Sequence, residues 1–515
     1  MGLPGGKANR ALIVLAVGVL DLGLEQGIIA PALPAIERRY GASPTAGTWL
    51  LTGFLLAAAV AIPLAGRIGD QFGRRRMLMW SLGLFALGSL VCALAGSIDL
   101  LIVGRVVQGL GAGVGPLALA LARDRLPAER LTTAVGLLLA AGSVGAVVGL
   151  LLAGVLVDHV SVPAIFWVLF ATALALVVLV AVAVPESPAG ARAPLDIPGA
   201  LALAGALGSL TLAVSRGSAW GWGSPRTVSL LIAAAALTVA FAVRERMARA
   251  PLVDPRALAL RSIWSANLAM GGLGFSLLTA FALVPLIGAY PRATGYGLGL
   301  STTQIALVLV PSSLATLLAG PLGGRLIPRT GSRAQALVGT LLATVTYVML
   351  ALMHPSVALL ALATIPLGAG LGLALGAITD LVALTSPVDQ TAATLGLNTV
   401  IRMVAAALGA QIAIAVVTAA PRLSAPSALP GTHARTAGGA GLPPHLLAAL
   451  RIPAESGFTN AFWVAAAATG VSLLAISLTP SRRADPARVA AGTLGAREVS
   501  PGAEVAPSPS GAPSA

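Results

Sequence analysis

The chain alternates between long apolar runs and short polar connections over most of its length. A window of about 19 residues, the length that crosses a bilayer as a helix, finds fourteen apolar runs. The runs cover residues 11–34, 46–65, 77–96, 99–121, 132–157, 162–184, 197–214, 227–243, 263–289, 302–322, 334–353, 356–379, 392–418 and 460–479. A helix satisfies its own backbone hydrogen bonds in hydrocarbon, so the pattern predicts an all-α membrane protein with fourteen transmembrane helices.

One polar segment, Gly66–Arg76, fixes the predicted orientation of these helices. It holds four arginines and Asp70 between the second and third apolar runs, which predicts a tight basic loop. Arginines next to membrane spans favour the cytoplasmic side, and the remaining basic residues are concentrated in connections on the same side. With an even number of spans, we expect both chain termini in the cytoplasm.

Composition excludes several classes of protein. The chain is 57% hydrophobic and 10% charged, and its net charge of +14 comes from basic residues scattered between apolar runs, so we expect no nucleic-acid partner. Its single cysteine, Cys92, excludes a disulfide framework. Four scattered histidines assemble neither a metal site nor a catalytic group, so we expect no cofactor, no metal and no enzyme activity.

A short internal repeat predicts the domain organisation. Gly66-Arg67-Ile68 with Gly73 recurs as Gly324-Arg325-Leu326 with Gly331, after the tenth run. The chain then divides into two six-helix halves with two extra helices inserted between them. The predicted segments are a cytoplasmic N-terminus (1–10), a first half (11–184), a linker with the two extra helices (185–262), a second half (263–480) with an external loop (420–459), and a disordered cytoplasmic tail (481–515). Within the external loop, only His445 to Ile452 could form a short helix.

Four ionisable residues fall well inside predicted spans: Asp21, Glu25, Arg105 and Arg402. A charge at mid-bilayer costs about 2.5–3.5 kcal/mol on insertion scales, so each should face a wet cavity or a partner. Asp21 and Glu25 lie four residues apart on one helix face and raise each other's proton affinity. We expect this pair to bind a coupling proton, with Arg105 as the partner of Glu25; the alternative is a static ion pair that only holds helices together.

A wider set of residues is expected to line a substrate cavity: Glu25, Gln108, Asn398, Arg402, Phe54 and Phe275, with Phe281 as a further apolar wall. The alternative for Arg402 is a helix-packing ion anchored on backbone carbonyls. A stripe of small residues on the fifth span, at spacings of three and four, predicts close helix packing or a functional motif, and these readings stay open. The stripe consists of Gly142, Gly145, Gly149, Ala153 and Gly154.

These motifs resemble those of the major facilitator superfamily, in particular its 14-span drug/proton antiporter family, over roughly residues 10 to 480. Gly66–Arg76 resembles the loop between helices two and three, with Gln71 where a basic residue is usual. Leu24–Pro34 resembles the first-helix motif, with Glu25 in place of aspartate. The fourth-helix motif is matched by Arg105, Gln108 and Gly109. The fifth-helix antiporter motif is matched by Gly136, Gly145, Gly149, Ala153 and Gly154, with Leu150 where the family has proline. In the second half, Pro328 stands where Asp70 stands in the first.

The resemblance implies transport by alternating access, and it implies that the first loop is a cytoplasmic gate. The gate residues would be Gly66, Gly69, Asp70, Gly73, Arg74, Arg75 and Arg76. Because Asp21 and Glu25 attract cations, we expect proton-coupled export of small amphiphilic or cationic compounds, such as drugs, dyes or antibiotics, by a monomer in the lipid bilayer of a bacterial cytoplasmic membrane. The low aromatic content, 4%, favours a lipid or natural product instead. A transporter without proton coupling and a non-transporting receptor are further alternatives.

Overall fold

A computed structural model describes residues 5–125, 128–186, 196–247, 261–353, 356–385, 391–420 and 453–479. Within these ranges the regular structure is helical and contains no β-strand. The predicted short helix from His445 to Ile452 and the predicted disordered tail both lie outside the described residues.

The described residues form fifteen α-helices. They are α1 (Gly5–Tyr40), α2 (Pro44–Phe72), α3 (Arg74–Ala93), α4 (Ile98–Leu110), α5 (Val114–Arg125), α6 (Ala128–His159), α7 (Val162–Ala183), α8 (Ile197–Trp220), α9 (Pro225–Met247), α10 (Arg261–Ala289), α11 (Thr302–Thr330), α12 (Ser332–Leu352), α13 (Val357–Thr385), α14 (Thr391–Ala419) and α15 (Glu455–Ser477). Helices α4 and α5 together make one span, so the described part of the chain provides fourteen helical segments long and apolar enough to cross a membrane. The predicted all-α fold with fourteen spans is confirmed.

The basic segment Gly66–Arg76 is mostly helical, which corrects the expectation of a loop. Helix α2 continues through Phe72, and α3 begins at Arg74, so the turn consists of Gly73 alone. Gly73 has a φ of 105°, a conformation that glycine adopts without steric cost. A helix keeps its hydrogen bonds in water as well as in lipid, so the polar residues extend α2 beyond its apolar part. We call the end of the bundle that carries this segment the basic end.

The fourth span is interrupted where its glycines are densest. Helix α4 ends at Leu110 and α5 starts at Val114. A Cβ on Gly109 would lie 2.3 Å from the carbonyl oxygen of Phe54, and one on Gly111 would lie 2.4 Å from that of Ser81. Glycine is therefore required here by the close approach of α2 and α3 to the fourth span.

The helix contacts within the first part of the chain, α1–α7, recur within the second part, α10–α15. Helix α1 packs on α6, and α10 packs on α14; α3 packs on α7, and α12 packs on α15. The contacts between the two parts repeat as well, since α2 packs on α14 and α6 packs on α11. The two parts of the chain are therefore related by pseudo-twofold symmetry, which is what an internal repeat produces.

The two inserted helices, α8 and α9, pack on each other, and α8 also contacts α2 and α14. The indole N–H of Trp49 in α2 donates to the hydroxyl of Ser215 in α8 at 2.8 Å. Asp196 caps the N-terminus of α8 and pairs with Arg244 of α9 at 3.0 Å. Burial raises the pKa of Asp196, but the N–H of Gly199 and the guanidinium of Arg244 outweigh it and hold the pKa below its usual value.

Small residues bring α1 and α6 into backbone contact. A Cβ on Gly145 would lie 2.0 Å from the carbonyl oxygen of Leu20, and one on Gly149 would lie 2.2 Å from that of Leu24. Gly154 instead faces the backbone of Thr303 in α11. The stripe therefore lets α1 and α11 pack closely against α6, which is the structural role of such stripes in many membrane proteins.

We predict that Gly145→Ala destabilises the protein by about 1–3 kcal/mol, because the added methyl group must separate two backbones that are in contact. Gly136→Ala in the same helix is the matched control, since nothing lies within 4 Å of a Cβ there. The measurement is thermal unfolding of both purified variants in detergent. Equal midpoints for the two variants would contradict the role assigned to the stripe.

Candidate functional site

A buried ion pair joins the first and fourth spans. The carboxylate oxygen Oε1 of Glu25 lies 2.6 Å from Nη1 of Arg105, and both side chains are at most 2% exposed. The predicted contact between these residues is therefore present. In a low-dielectric interior such a pair needs further hydrogen bonds to offset the cost of removing two charges from water.

Arg105 has these further contacts. Its Nε donates to the carbonyl oxygen of Leu50 at 2.8 Å, and its Nη1 donates to Oε1 of Gln108 at 2.8 Å. The guanidinium also lies 4.6 Å from the ring centroid of Phe54, within cation–π distance. Gln108 in turn donates to the hydroxyl of Ser89 at 2.7 Å. One arginine thus connects α1, α2 and α4 directly, and α3 through Gln108.

The carboxylates of Glu25 and Asp21 have different surroundings. Oε2 of Glu25 is buried and has no hydrogen-bond partner among the described residues. Asp21 is also buried, but it faces the hydroxyl of Thr172 in α7 rather than an arginine. The two acids are one turn apart, and only Glu25 takes part in the ion pair. A free buried carboxylate oxygen can accept a proton, which would neutralise the acid.

Several residues expected to line a cavity are instead packed inside the bundle. Glu25, Gln108 and Phe54 are 1%, 0% and 4% exposed, because anchoring Arg105 uses all three side chains. Asn398 is 2% exposed and donates to Oδ1 of Asn267 at 2.8 Å. These four side chains present almost no surface to a cavity in this conformation.

The remaining expected cavity residues are only half-buried. They are Arg402 in α14 and Phe275 and Phe281 in α10. No carbonyl among the described residues accepts a hydrogen bond from Arg402, so the alternative of an ion anchored on backbone carbonyls finds no support.

Helices α1–α7 and helices α10–α15 are hydrogen-bonded to each other towards the end of the bundle opposite the basic end. Asp158, at the C-terminus of α6, accepts hydrogen bonds from the backbone N–H groups of Thr302 and Thr303 at 3.2 and 2.8 Å and from the Thr303 hydroxyl at 2.7 Å. A carboxylate is favourable at the N-terminus of a helix, here α11. Gln411 of α14 donates to the hydroxyl of Thr52 in α2 at 3.2 Å.

The basic segment forms ion pairs with acids at the ends of two later helices. Arg74 lies 2.9 Å from Asp70 and 2.5 Å from Asp124 at the end of α5. Glu186, just after α7, accepts from the backbone N–H of Arg75 at 3.1 Å and lies 3.5 Å from Nε of Arg76. Sequence reasoning missed Asp124, Glu186 and Asp158. Their signal was an acid directly at the end of an apolar run.

The second part of the chain repeats this geometry with fewer charges. Gly331 again has a positive φ, of 80°, between α11 and α12. Arg333 donates to the carbonyl oxygen of Ser477 at the end of α15, as Arg75 donates to that of Ala181 at the end of α7. The Ser332 hydroxyl donates to Asp380, where the first part has the Arg74–Asp124 ion pair. The sequence repeat therefore corresponds to equivalent structural positions.

This architecture defines a class: multi-pass membrane proteins built from two equivalent six-span units, with a buried ion pair in the first. Comparison with known proteins identifies the family. The model of the Major Facilitator Superfamily matches residues 15–410, and the chain belongs to this superfamily of transporters.

Individual relatives agree with this assignment. The chain is 32% identical over 402 residues to the tetracenomycin C resistance and export protein of Streptomyces glaucescens, covering 76% of this chain and 72% of that protein. It is 31% identical over 404 residues to an uncharacterized MFS-type transporter of Mycobacterium tuberculosis, covering 77% of this chain but 58% of the relative's length. A crystal structure of a bacterial homologue of the human lysosomal transporter Spinster has the same fold, with a TM-score of 0.62 at 16% identity over 93% of this chain and 98% of that one.

We predict that Arg105→Met destabilises the protein by about 3–5 kcal/mol, because it leaves the Glu25 carboxylate buried without its counter-ion. Adding Glu25→Met to Arg105→Met should recover much of the loss, since no uncompensated charge then remains. Arg226→Met, at an exposed position on α9, is the control. Unfolding of the wild type, both single variants, the double variant and the control in detergent measures the coupling; strictly additive effects of Arg105→Met and Glu25→Met would show that the two side chains do not stabilise each other.

Proposed function

We propose that this protein exports small amphiphilic compounds across a bacterial plasma membrane in exchange for protons, by alternating access. The observation that carries the proposal is the Glu25–Arg105 pair, with one carboxylate oxygen of Glu25 unpartnered inside the first six-span unit. A buried carboxylate next to a single arginine can exist in a charged and a neutral form, which differ in how strongly they hold α1 to the fourth span.

The first step of the mechanism is proton uptake by Glu25. Its protonation removes the charge that faces Arg105, and Arg105 then keeps only the Leu50 carbonyl, the Gln108 side chain and the Phe54 ring. The contact between α1 and α4 weakens, while that between α2 and α4 persists. Deprotonation towards the other aqueous phase restores the original contact, so proton binding and helix arrangement are coupled.

The second step is the opening and closing of the two ends. With the basic end in the cytoplasm, the hydrogen bonds of Asp158 and Gln411 join the two units on the external side. The structure then corresponds to a state closed to the outside. The cycle requires those external contacts to break when the cytoplasmic side closes, and exposed contacts of about 1 kcal/mol or less can break and form in each cycle. The Asp70, Arg74 and Asp124 ion pairs lie within the first unit, so closing the cytoplasmic side requires new contacts between this basic segment and the second unit.

The driving force is sufficient for export. One charge that crosses a membrane potential of 100 mV releases about 2.3 kcal/mol, and about 1.4 kcal/mol corresponds to a tenfold gradient. One proton therefore sustains roughly a 50-fold gradient of an uncharged substrate. One titrating acid, Glu25, is enough, and Asp21 is a second candidate on the same helix.

The substrate is proposed from the relatives. One is named for resistance to and export of tetracenomycin C, and another is named a multidrug resistance protein. These names favour apolar or amphiphilic natural products and drugs. A relative from Mycolicibacterium hassiacum, 32% identical over 364 residues, is named a triacylglyceride transporter, which supports lipid export as the second candidate.

We predict that Glu25→Gln abolishes pH-driven transport, because glutamine keeps the shape of the side chain but cannot exchange a proton. The measurement is uptake of a panel of drugs and dyes into inverted membrane vesicles, with and without an imposed pH gradient. Asp21→Asn is tested in parallel, and we expect it to reduce transport less, since Asp21 does not contact Arg105.

Exposed Asp99 at the start of α4 is the matched control, and Asp99→Asn should transport as wild type does. Undiminished pH-driven transport by Glu25→Gln would reject Glu25 as the proton site. If both Glu25→Gln and Asp21→Asn retained it, proton coupling through the first helix would be wrong.

A further inference from the structure

Of the four ionisable residues predicted well inside spans, Arg402 is the one that keeps accessible surface. Asp21, Glu25 and Arg105 are at most 5% exposed, whereas Arg402 is half-buried on α14, a helix that packs on α2, α8, α10 and α15. A side chain that is deep in a helix bundle and still accessible faces an internal cavity rather than lipid. A positive charge is therefore presented to that cavity.

Nothing in the described part of the chain neutralises this charge. The five ion pairs there involve Arg74 with two acids, and Arg76, Arg105 and Arg244 with one each. Arg402 forms none of them, and no hydrogen bond from its guanidinium is present among those residues. A guanidinium carries five N–H donors and no acceptor, so Arg402 presents unused donors as well as charge.

A second observation, at the contact between α10 and α14, also shows unused hydrogen-bond donors. Asn398, one turn before Arg402, donates to Asn267 of α10, and Nδ2 of Asn267 is buried without an acceptor among the described residues. The backbone here is fixed, since a Cβ on Gly274 of α10 would lie 2.3 Å from the carbonyl oxygen of Arg402. The contact between α10 and α14 thus has a surplus of donors and a net positive charge.

We propose that Arg402, with the Asn267–Asn398 pair beside it, binds the anionic group of the exported compound, so that the substrates are amphiphiles carrying a carboxylate or phenolate next to an apolar body. Planar guanidinium groups bind such oxygens through charge-assisted, often bidentate, hydrogen bonds. Half-buried Phe275 and Phe281, on the same helix as Asn267, provide apolar surface for the rest of the molecule. This inference rests on the proposed export function and names its substrate class.

The inference replaces the expectation of a cationic substrate. That expectation relied on Asp21 and Glu25 attracting cations into the cavity. Both acids are buried, and Glu25 is already paired with Arg105 at 2.6 Å. The accessible charge in the middle of the bundle is positive, which disfavours a cation and favours an anion.

The test uses two fluorescent probes that differ only in charge: a dansyl group on a short alkyl chain that ends in a carboxylate, and the same group and chain ending in an amine. Binding to the purified full-length protein in detergent is measured by dansyl fluorescence at neutral pH, without any gradient. The variants are Arg402→Gln, which removes the charge, Arg402→Lys, which keeps it, and Arg226→Gln, the exposed control on α9.

We expect the wild type and Arg226→Gln to bind the carboxylate probe at least tenfold more tightly than the amine. Arg402→Gln should weaken binding of the carboxylate about tenfold and leave the amine unchanged, and Arg402→Lys should restore part of the loss. Tighter binding of the amine by the wild type would overturn the proposal. So would an equal loss of both probes in Arg402→Gln, because a structural role of Arg402 predicts that result.

The same probes separate this inference from the proposed function. Charge-selective binding that depends on Arg402, in a protein without pH-driven uptake into inverted vesicles, would support the anion site and reject proton coupling. Transport of either probe that is driven by a pH gradient and unaffected by Arg402→Gln would support proton coupling and reject the anion site.

Discussion

Hydrocarbon cannot solvate a charge, and this constraint explains how the first, second and fourth spans meet. Glu25 and Arg105 neutralise each other at 2.6 Å, and the remaining donors of Arg105 reach Leu50 and Gln108. Each contact comes from a different helix or a different turn, so satisfying one guanidinium determines how α1, α2 and α4 meet. The glycines of the fourth span allow the backbones to approach closely enough for these bonds to form.

The two six-span units share their helix contacts but not their electrostatics. Arg75 and Arg333 hold equivalent positions, each on a carbonyl at the end of the last helix of its unit, which is a structural contact. The ion pairs between Asp70, Arg74 and Asp124 occur in the first unit, whereas the second has Pro328 and a Ser332–Asp380 hydrogen bond at the corresponding places. The two units therefore share the geometry of helix packing and differ in the charges at the basic end.

Hydropathy was sufficient to predict fourteen spans, because each span must be apolar over a bilayer's thickness wherever its neighbours lie. The two six-span units were predicted from the repeat of Gly66–Gly73 at Gly324–Gly331 and from the family resemblance. Hydropathy also pointed to Glu25 and Arg105, since an ionisable residue in an apolar run needs a partner. The partners at helix ends, Asp124, Glu186 and Asp158, could not be found in this way, because acids in polar connections are common and their pairing depends on tertiary structure. For the same reason, the sequence placed Gln108 and Phe54 in a cavity, whereas anchoring Arg105 buries both.

Helix α8 touches both units at once, α2 on one side and α14 on the other. A rotation of the units about each other must therefore slide α8 along at least one of these neighbours. Its contact with α2 includes the hydrogen bond from Trp49 to Ser215, so such a rotation either breaks that bond or carries α8 along with the unit that contains α2. The inserted pair therefore makes the two contacts between the units unequal: α8 lies against the contact between α2 and α14, and among the described residues it does not pack on the one between α6 and α11.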